Sequence, residues 1–430
     1  MKNKLIFIEL NEINFDLIKK YSENYNFKVF NKLFFQNLKR TTSENKYHLL
    51  EPWIQWASVH TGLSAEEHGI FRLGDFDGKN LKHIFKEIEN KGYEVGAICP
   101  MNITNDLIRS KYFIPDPWIK NQEPKNYFQN IIYKSLSEAV NNNSGSKISF
   151  KSKLIIFLTI LLFVRKKNIF KLISLFFKSF VNKWNKALIF DYLINEIHIK
   201  YLKRYKTDFS TIFFNAGAHI QHHYLNNSKI LKNKKNPEWY IKSGIDPILE
   251  TYIFYDEIIY EYFKMKNTSL LIATGLTQRP YEQNTFYYRL SDHQKFMNIL
   301  DVKFESIHPR MSRDFLVTFR EHDECNEFEK KLSQINKINK IKLFEIENRG
   351  KDAFVTLVYS QEIKKNFKIN LTQNLIIDLY KHVNFVAIKN GEHDPNGFLF
   401  AKGSINEFIK SQNFHVKNIY NVIDQYFDHD

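Results

Sequence analysis

Short, wholly apolar runs of strand length recur along the chain, each beside a helical period. LIFIEL at 5–10 is followed by a polar turn and the helix-like NFDLIKKY. YEVGAICP at 93–100 follows the helical KNLKHIFKEIENKG, which ends on Gly92 as a capping residue. STIFFNAG at 210–217 is rich in β-branched and aromatic residues, and SLLIATG at 269–275 follows ILETYIFYDEIIYEYFKM. Strands alternating with helices predict an α/β protein, with a mostly parallel sheet between two layers of helices. In such sheets ligands bind beyond the carboxyl ends of the strands.

The pattern changes at 300–385. RDFLVTF, the charged EHDECNEFEKKLSQI and KLFEIENRGKDAFVTLVYS read as strand, helix and a hairpin around Asn348–Gly350. This predicts a small α+β insertion, after which AIKNGEHDPNGFLFAKG and a final helix return to the core. The core is then 1–138, 191–299 and 386–430, with insertions at 139–190 and 300–385. Within the first insertion, LIIFLTILLFV runs into Arg165-Lys166-Lys167 and then IFKLISLFFKSF. Eleven apolar residues are too few to span a bilayer. Two readings are open: a helical hairpin covering part of the core, or a basic, Phe/Leu/Ile-rich element over 145–185 lying in an anionic membrane interface.

Composition sharpens this picture at three points. With 430 residues, 43% of them hydrophobic, the chain can build one large domain with insertions, or two domains. The net charge of +15 is uneven: between Ala139 and Phe190 stand ten Lys/Arg and no acid, two thirds of the excess. Basicity therefore belongs to one segment. With no zinc-finger spacing, RNP-like string or basic helix-turn-helix, nucleic acid is not an expected partner. The two cysteines, Cys99 and Cys325, give neither a disulfide framework nor a thiolate zinc site, which fits a reducing compartment. The apolar start is interrupted by Glu9, too early for a signal-peptide core. A cytoplasmic protein is expected, peripheral on the inner membrane face if the basic segment binds there.

Polar clusters follow the predicted strands. They are Glu9, Asn11 and Glu12; Ser58, His60, Thr61 and His68; Asn215, His219, His222 and His223; and Glu392, His393 and Asp394. Three histidines within five residues after a buried strand point to metal ligation or base catalysis, because imidazole serves both. Glu9 and Glu12 are candidate general bases or ligands for a substrate amine or sugar hydroxyl; pairing with a helix N-terminus is the plainer role. Ser58 is a candidate substitute nucleophile, although its place inside a helix favours packing. Thr277, Gln278 and Arg289 are candidate cleft residues, the arginine suiting an anionic substrate. Ser291-Asp292-His293 looks metal-binding, yet it precedes the helical HQKFMNIL, so Ser291 reads as an N-cap.

TGLSAEEHGIF resembles the TG-x-x-P-x-x-HGI string of the alkaline-phosphatase-like superfamily, in its type I phosphodiesterase/nucleotide pyrophosphatase branch. The other clusters come in that family's order. ELNEINFDLI is similar to its first strand and metal-binding turn, FFNAGAHIQHHY to its TDRVQH-type segment, and EHDPNGFLFAKG to its closing histidine segment. LLIATGLTQ stands where that family has a strand ending in SDHG. The resemblance covers roughly residues 5–70, 210–280 and 385–405. It implies a three-layer α/β/α core and phosphoester or related group-transfer chemistry. It also implies two metals, usually zinc, and a Thr or Ser nucleophile.

Carried over position by position, the chemistry is depleted. The metal Asp of the first turn falls on Asn11, the nucleophile on Pro52, another Asp on Ala218, and the Asp-His pair on Gly275 and Leu276. His222 and His393 keep the family's histidines. His219, three residues before His222, is the expected third ligand, since the two share a helical face. One zinc or other divalent ion on His219, His222 and His393, or a metal-free cleft with hydrogen-bonded histidines, are the alternatives. The function expected is a hydrolase or group transferase, drifted from the two-metal mechanism. Its substrate would be a phosphoester, or a nucleotide-linked or lipid-linked glycan; the rival is a silent ligand-binding protein.

Overall fold

A computed structural model describes residues 4–36, 38–119, 123–141, 148–232, 235–310, 313–410 and 414–429. It opens on β1 (Leu5–Leu10), buried at every position. The Asn14 side chain then caps α1 (Phe15–Ser22) by accepting from the amides of Asp16 and Leu17. Next come α2 (Phe30–Phe35), β2 (Lys39–Thr42), α3 (Pro52–Thr61), α4 (Ala65–His68) and α5 (Ile84–Asn90). Strands β3 (Val95–Ile98) and β4 (Tyr112–Ile114) precede α6 (Tyr127–Asn141), α7 (Phe150–Phe163), α8 (Ile169–Val181) and α9 (Asn185–Tyr205). Then follow β5 (Phe209–Phe214), α10 (Ala216–Tyr224), α11 (Pro247–Phe263), β6 (Ser269–Ala273) and β7 (Thr277–Leu290).

Two compact units result. The first comprises Met1–Val140, Ile148–Pro280 and Gly391–Asp430; the second is built on Tyr281–Asn390. The second holds α12 (His293–Ile299), β8 (Ser306–Pro309), β9 (Asp314–Thr318), α13 (His322–Asn339), β10 (Phe344–Asn348) and β11 (Asp352–Leu357). The short strands β12 (Lys368–Asn370) and β13 (Ile376–Asp378) close it, and β14 (Val383–Asp394) carries the chain back. The last elements, β15 (Asn396–Lys402), β16 (Phe414–His415) and α14 (Asn418–Asp428), return to the first unit.

The first unit is a sheet in the order β16-β2-β15-β6-β1-β5-β3-β4. Strand β1 lies parallel to β5 and β6, and β3 parallel to β5 and β4. Strand β15 runs antiparallel between β6 and β2. Side chains of β5 show both faces covered. Phe209 packs on Phe85 of α5 and Phe427 of α14, and Phe213 on Trp56 of α3. On the other face, Phe214 meets Tyr255 of α11 and Ser210 bonds His198 of α9. This is the three-layer α/β/α architecture that the unbroken apolar strands predict.

The second unit has its own core. Its antiparallel sheet runs β10-β11-β9-β8, and α13 buries the stripe Cys325, Phe328, Leu332 and Ile335. The strand, helix and hairpin expected there are present, with Asn348 opposite Ala353. The α12 cap is Asp292, whose side chain accepts from the Lys295 amide, and not Ser291.

One buried carboxyl positions the helix that carries His222. Asp191 of α9 accepts from the Ala216 amide (2.9 Å) and the Tyr255 hydroxyl (2.6 Å), which fixes the start of α10. Burial pushes the Asp191 carboxyl up to about 7, and that of Asp116 likewise. A carboxyl whose pKa is raised by folding stabilises the fold fully below its unfolded value and loses that contribution as pH rises through the folded one. Stability should therefore fall between about pH 4 and pH 7 as far as these groups contribute. Asp191→Asn should flatten that part of the profile, read from urea midpoints across this range. An unaltered slope would show that Asp191 does not titrate there.

Candidate metal centre

Three side chains converge beyond the carboxyl ends of β1 and β5. Glu12 stands two residues past β1, His222 on α10, and His393 near the end of β14, all within the first unit. Their ligand atoms cluster as a group able to hold a metal ion. Glu12 Oε2 lies 3.2 Å from His222 Nε2 and 3.4 Å from His393 Nε2, and the two nitrogens are 3.3 Å apart. Ligands at about 2.0–2.1 Å around a tetrahedral ion stand about 3.3–3.4 Å from one another. The donor triangle thus has the size of one face of a tetrahedron.

The backbone forces this placement. Glu12 sits in the left-handed region, φ 59°, which non-glycine residues seldom adopt. Its amide donates to the Thr274 carbonyl (3.0 Å), and its carbonyl accepts from Gln221 Nε2 (2.7 Å). The side chain is buried and receives Gln278 Nε2 and Asn11 Nδ2. Burial opposes ionisation of its carboxyl, yet the imidazoles of His393 and His222 hold it well below the usual carboxylate range. His222 Nδ1 faces the Gly391 carbonyl at 3.4 Å. A carbonyl only accepts, so Nδ1 is the donor of that pair, and loss of the Nε2 proton would leave a lone pair turned to the cluster. His393 Nδ1 faces Glu51 Oε2 at 3.8 Å. Gly391 has no room for a side chain: a Cβ there would stand 2.1 Å from Gln278 Oε1.

Asn11 and Gly275, two of the positions where the resemblance implies metal ligands, lie against Trp56. Trp56 of α3 is fully buried and donates its indole N–H to Asn11 Oδ1 (2.7 Å). Asn11 Nδ2 in turn donates to Asn215 Oδ1 (2.8 Å). The amide oxygen of Asn11 is therefore engaged. At Gly275, φ 70°, a Cβ would stand 3.1 Å from the Trp56 ring. A side chain at that position would be strained by its backbone and crowded by the indole, so Asn11 and Gly275 both pack on Trp56.

Several expected site residues serve elsewhere. The third corner of the cluster is Glu12 and not His219, which is exposed and packs edge-on against His223. Glu9 is buried on the α3 side of the sheet, with Oε2 3.2 Å from His60 Nε2 and Oε1 accepting from Thr211. Alternation along β1 sends it to the opposite face from its neighbours, so neither Glu9 nor His60 reaches the cluster. Ser58 Oγ pairs with His68 Nε2 (3.0 Å), and His68 Nδ1 accepts from the Ile70 amide. Burial lowers the His68 pKa to about 4, so the imidazole is neutral and, with Nδ1 accepting, its Nε2 donates to Ser58 Oγ. Thr277 Oγ1 donates to the Asn396 carbonyl and is buried. Arg289 is buried in the second unit. Sequence reasoning missed Trp56 and Arg279, the latter paired with Glu392 at 2.8 Å; its place next to Gln278 was the available signal.

No protein-family profile and no curated protein matches the chain. Among solved structures it is similar to phosphonoacetate hydrolase from Sinorhizobium meliloti 1021 in complex with phosphonoacetate. Identity is 9%, over 99% of this chain and 96% of that one, with a TM-score of 0.46. It is similar also to murine ectonucleotide pyrophosphatase/phosphodiesterase 5 in complex with AMP, at 10% identity, 99% and 95% coverage and a TM-score of 0.42. A third is alkaline phosphatase from the Antarctic bacterium TAB5, at 9% identity, 100% and 99% coverage and a TM-score of 0.41.

Proposed function

We propose that the chain is a phosphoester hydrolase that works with one divalent ion in place of two. The observation that carries this reading is the triangle of Glu12 Oε2, His222 Nε2 and His393 Nε2. An ion held by one carboxylate and two imidazoles, with a position left open, supplies a Lewis acid for a phosphoryl oxygen and acidifies water. Glu12, His222 and His393 would hold it, and zinc suits a set of two nitrogens and one oxygen. Gln278 and the Gly391 carbonyl orient those ligands through the contacts described above. Arg279, well exposed and paired with Glu392, offers a cation for an anionic substrate. The substrate class is a phosphodiester, nucleotide-linked or lipid-linked glycans included.

A ligand-binding protein without turnover is the second reading. Pro52 favours it, because no hydroxyl stands where the family has its nucleophile. Turnover separates the two. With zinc or manganese, the purified chain should hydrolyse bis-p-nitrophenyl phosphate or a nucleotide sugar, lose that activity to a chelator and regain it on readdition. Stoichiometric metal without turnover selects the binding protein. Neither metal nor turnover overturns the hydrolase reading.

A further inference from the structure

We infer that the outward face of α7 and α8 docks the protein onto an anionic phospholipid bilayer. The inference is independent of the metal centre and of any activity there. It starts from an inverted burial pattern. In α7 the buried positions include Ser152 and Thr159, while Leu154, Phe157, Leu158, Leu161 and Leu162 are exposed. Ser152 Oγ donates to Glu138, and Thr159 Oγ1 donates back to the Ile155 carbonyl (2.8 Å). A helix lying on a water-facing surface does the reverse and turns its apolar stripe inward. In α8, Leu172 and Leu175 face inward, yet Phe170, Phe177 and Phe180 are 80%, 67% and 71% exposed. More than half of the large apolar side chains exposed among the described residues fall in this one segment. So large an apolar patch marks an interaction site.

Charge identifies the partner. Arg165, Lys167 and Lys171 are engaged by Glu196, Glu261 and Glu257 of α9 and α11, which anchor the segment. Lys151, Lys153, Lys166, Lys178, Lys183 and Lys186 are left without an acidic partner among the described residues, and no acid occurs between 139 and 190. Exposed apolar side chains interspersed with lysines that have no acidic partner among the described residues complement anionic headgroups above acyl chains. A symmetric contact with a second copy would bring two sets of lysines together, which disfavours it. The helices have 14 and 13 residues, about 20 Å each at 1.5 Å per residue, so they lie along the surface and do not cross it. No helix among the described residues is long and apolar enough to cross a membrane.

Vesicle flotation of the full chain tests this. We expect binding to an equimolar mixture of phosphatidylcholine and phosphatidylglycerol at least about tenfold tighter than to phosphatidylcholine alone, weakening with salt. The triple variant Phe170→Ser, Phe177→Ser, Phe180→Ser should lose binding to both. The triple variant Lys178→Glu, Lys183→Glu, Lys186→Glu should lose the anionic preference. It alters only exposed charges, so it stands as the check if the phenylalanine variant misfolds. Wild-type protein that floats with neither vesicle, or a folded variant of either kind that binds like wild type, overturns the proposal. So does a dimer in sedimentation equilibrium that the phenylalanine variant abolishes while the wild type ignores vesicles.

Discussion

Glu12→Gln is expected to weaken zinc binding by more than about 100-fold, beyond the 10–100-fold that loss of an outer-shell partner costs. The reasoning is geometric. Each corner of the triangle supplies one donor, and the described cluster holds no fourth. Glutamine keeps the shape of the side chain but offers a neutral amide where an anion stood. His222→Ala and His393→Ala should each abolish stoichiometric binding, since two donors rarely retain zinc. Metal analysis and calorimetric titration read this directly, and heat stability gives a second readout. Zinc at about 100 times its dissociation constant stabilises the native state by about 2.7 kcal/mol. The wild type should therefore gain thermal stability with zinc, and the three variants should not. His219→Ala is the control: it should bind as the wild type does, because that side chain lies outside the cluster. If His219→Ala lost zinc while Glu12→Gln kept it, the assignment would be reversed.

His219 and Glu12 differ in how much of their placement the sequence carries. Two histidines three apart on a helix do share a face, and periodicity shows this. What periodicity cannot show is the backbone of residue 12. A glutamate at φ 59° is uncommon, and that conformation sets its carboxylate against both imidazoles. The parallel strands were legible because strands buried on both faces are unbroken apolar runs; β1, β5 and β6 all read that way. Strand β2, held between β15 and the two-residue β16, has only four residues and mixed burial and carried no such signal. Trp56 was silent for another reason. Its fit against Gly275 and Asn11 is a long-range match of shape and hydrogen bonding between segments far apart in the chain. That Asn11 and Gly275 carry no acid was legible; that both pack on Trp56 was not. In the basic segment composition gave the charge excess, but the direction in which each helix turns its phenylalanines depends on packing against α9.

The anchoring of that segment carries the second large effect: Arg165→Met should destabilise the first unit by about 3 kcal/mol or more. Glu196 is fully buried, and Arg165 gives it the backbone amide, Nε and Nη2, while Nη1 and Nη2 also reach Glu261. Asn168 Nδ2 adds one bond at 2.8 Å. Taking away the guanidinium leaves a buried carboxylate with one amide and one side-chain donor. Breaking a buried pair from one side costs about 3–5 kcal/mol, whereas neutralising both sides costs far less. Adding Glu196→Gln to Arg165→Met should therefore recover much of the loss. The coupling is read from a double-mutant cycle on urea unfolding. A cycle that closes additively would mean that the pair is no more than a surface contact. Lys167→Met sets the scale from the other side, because Lys167 is exposed and an exposed pair contributes at most about 1 kcal/mol. The basic excess of this segment thus divides by physical role: the cations turned toward α9 and α11 hold the helices to the core, and the lysines with no acidic partner among the described residues are free to meet an anionic surface.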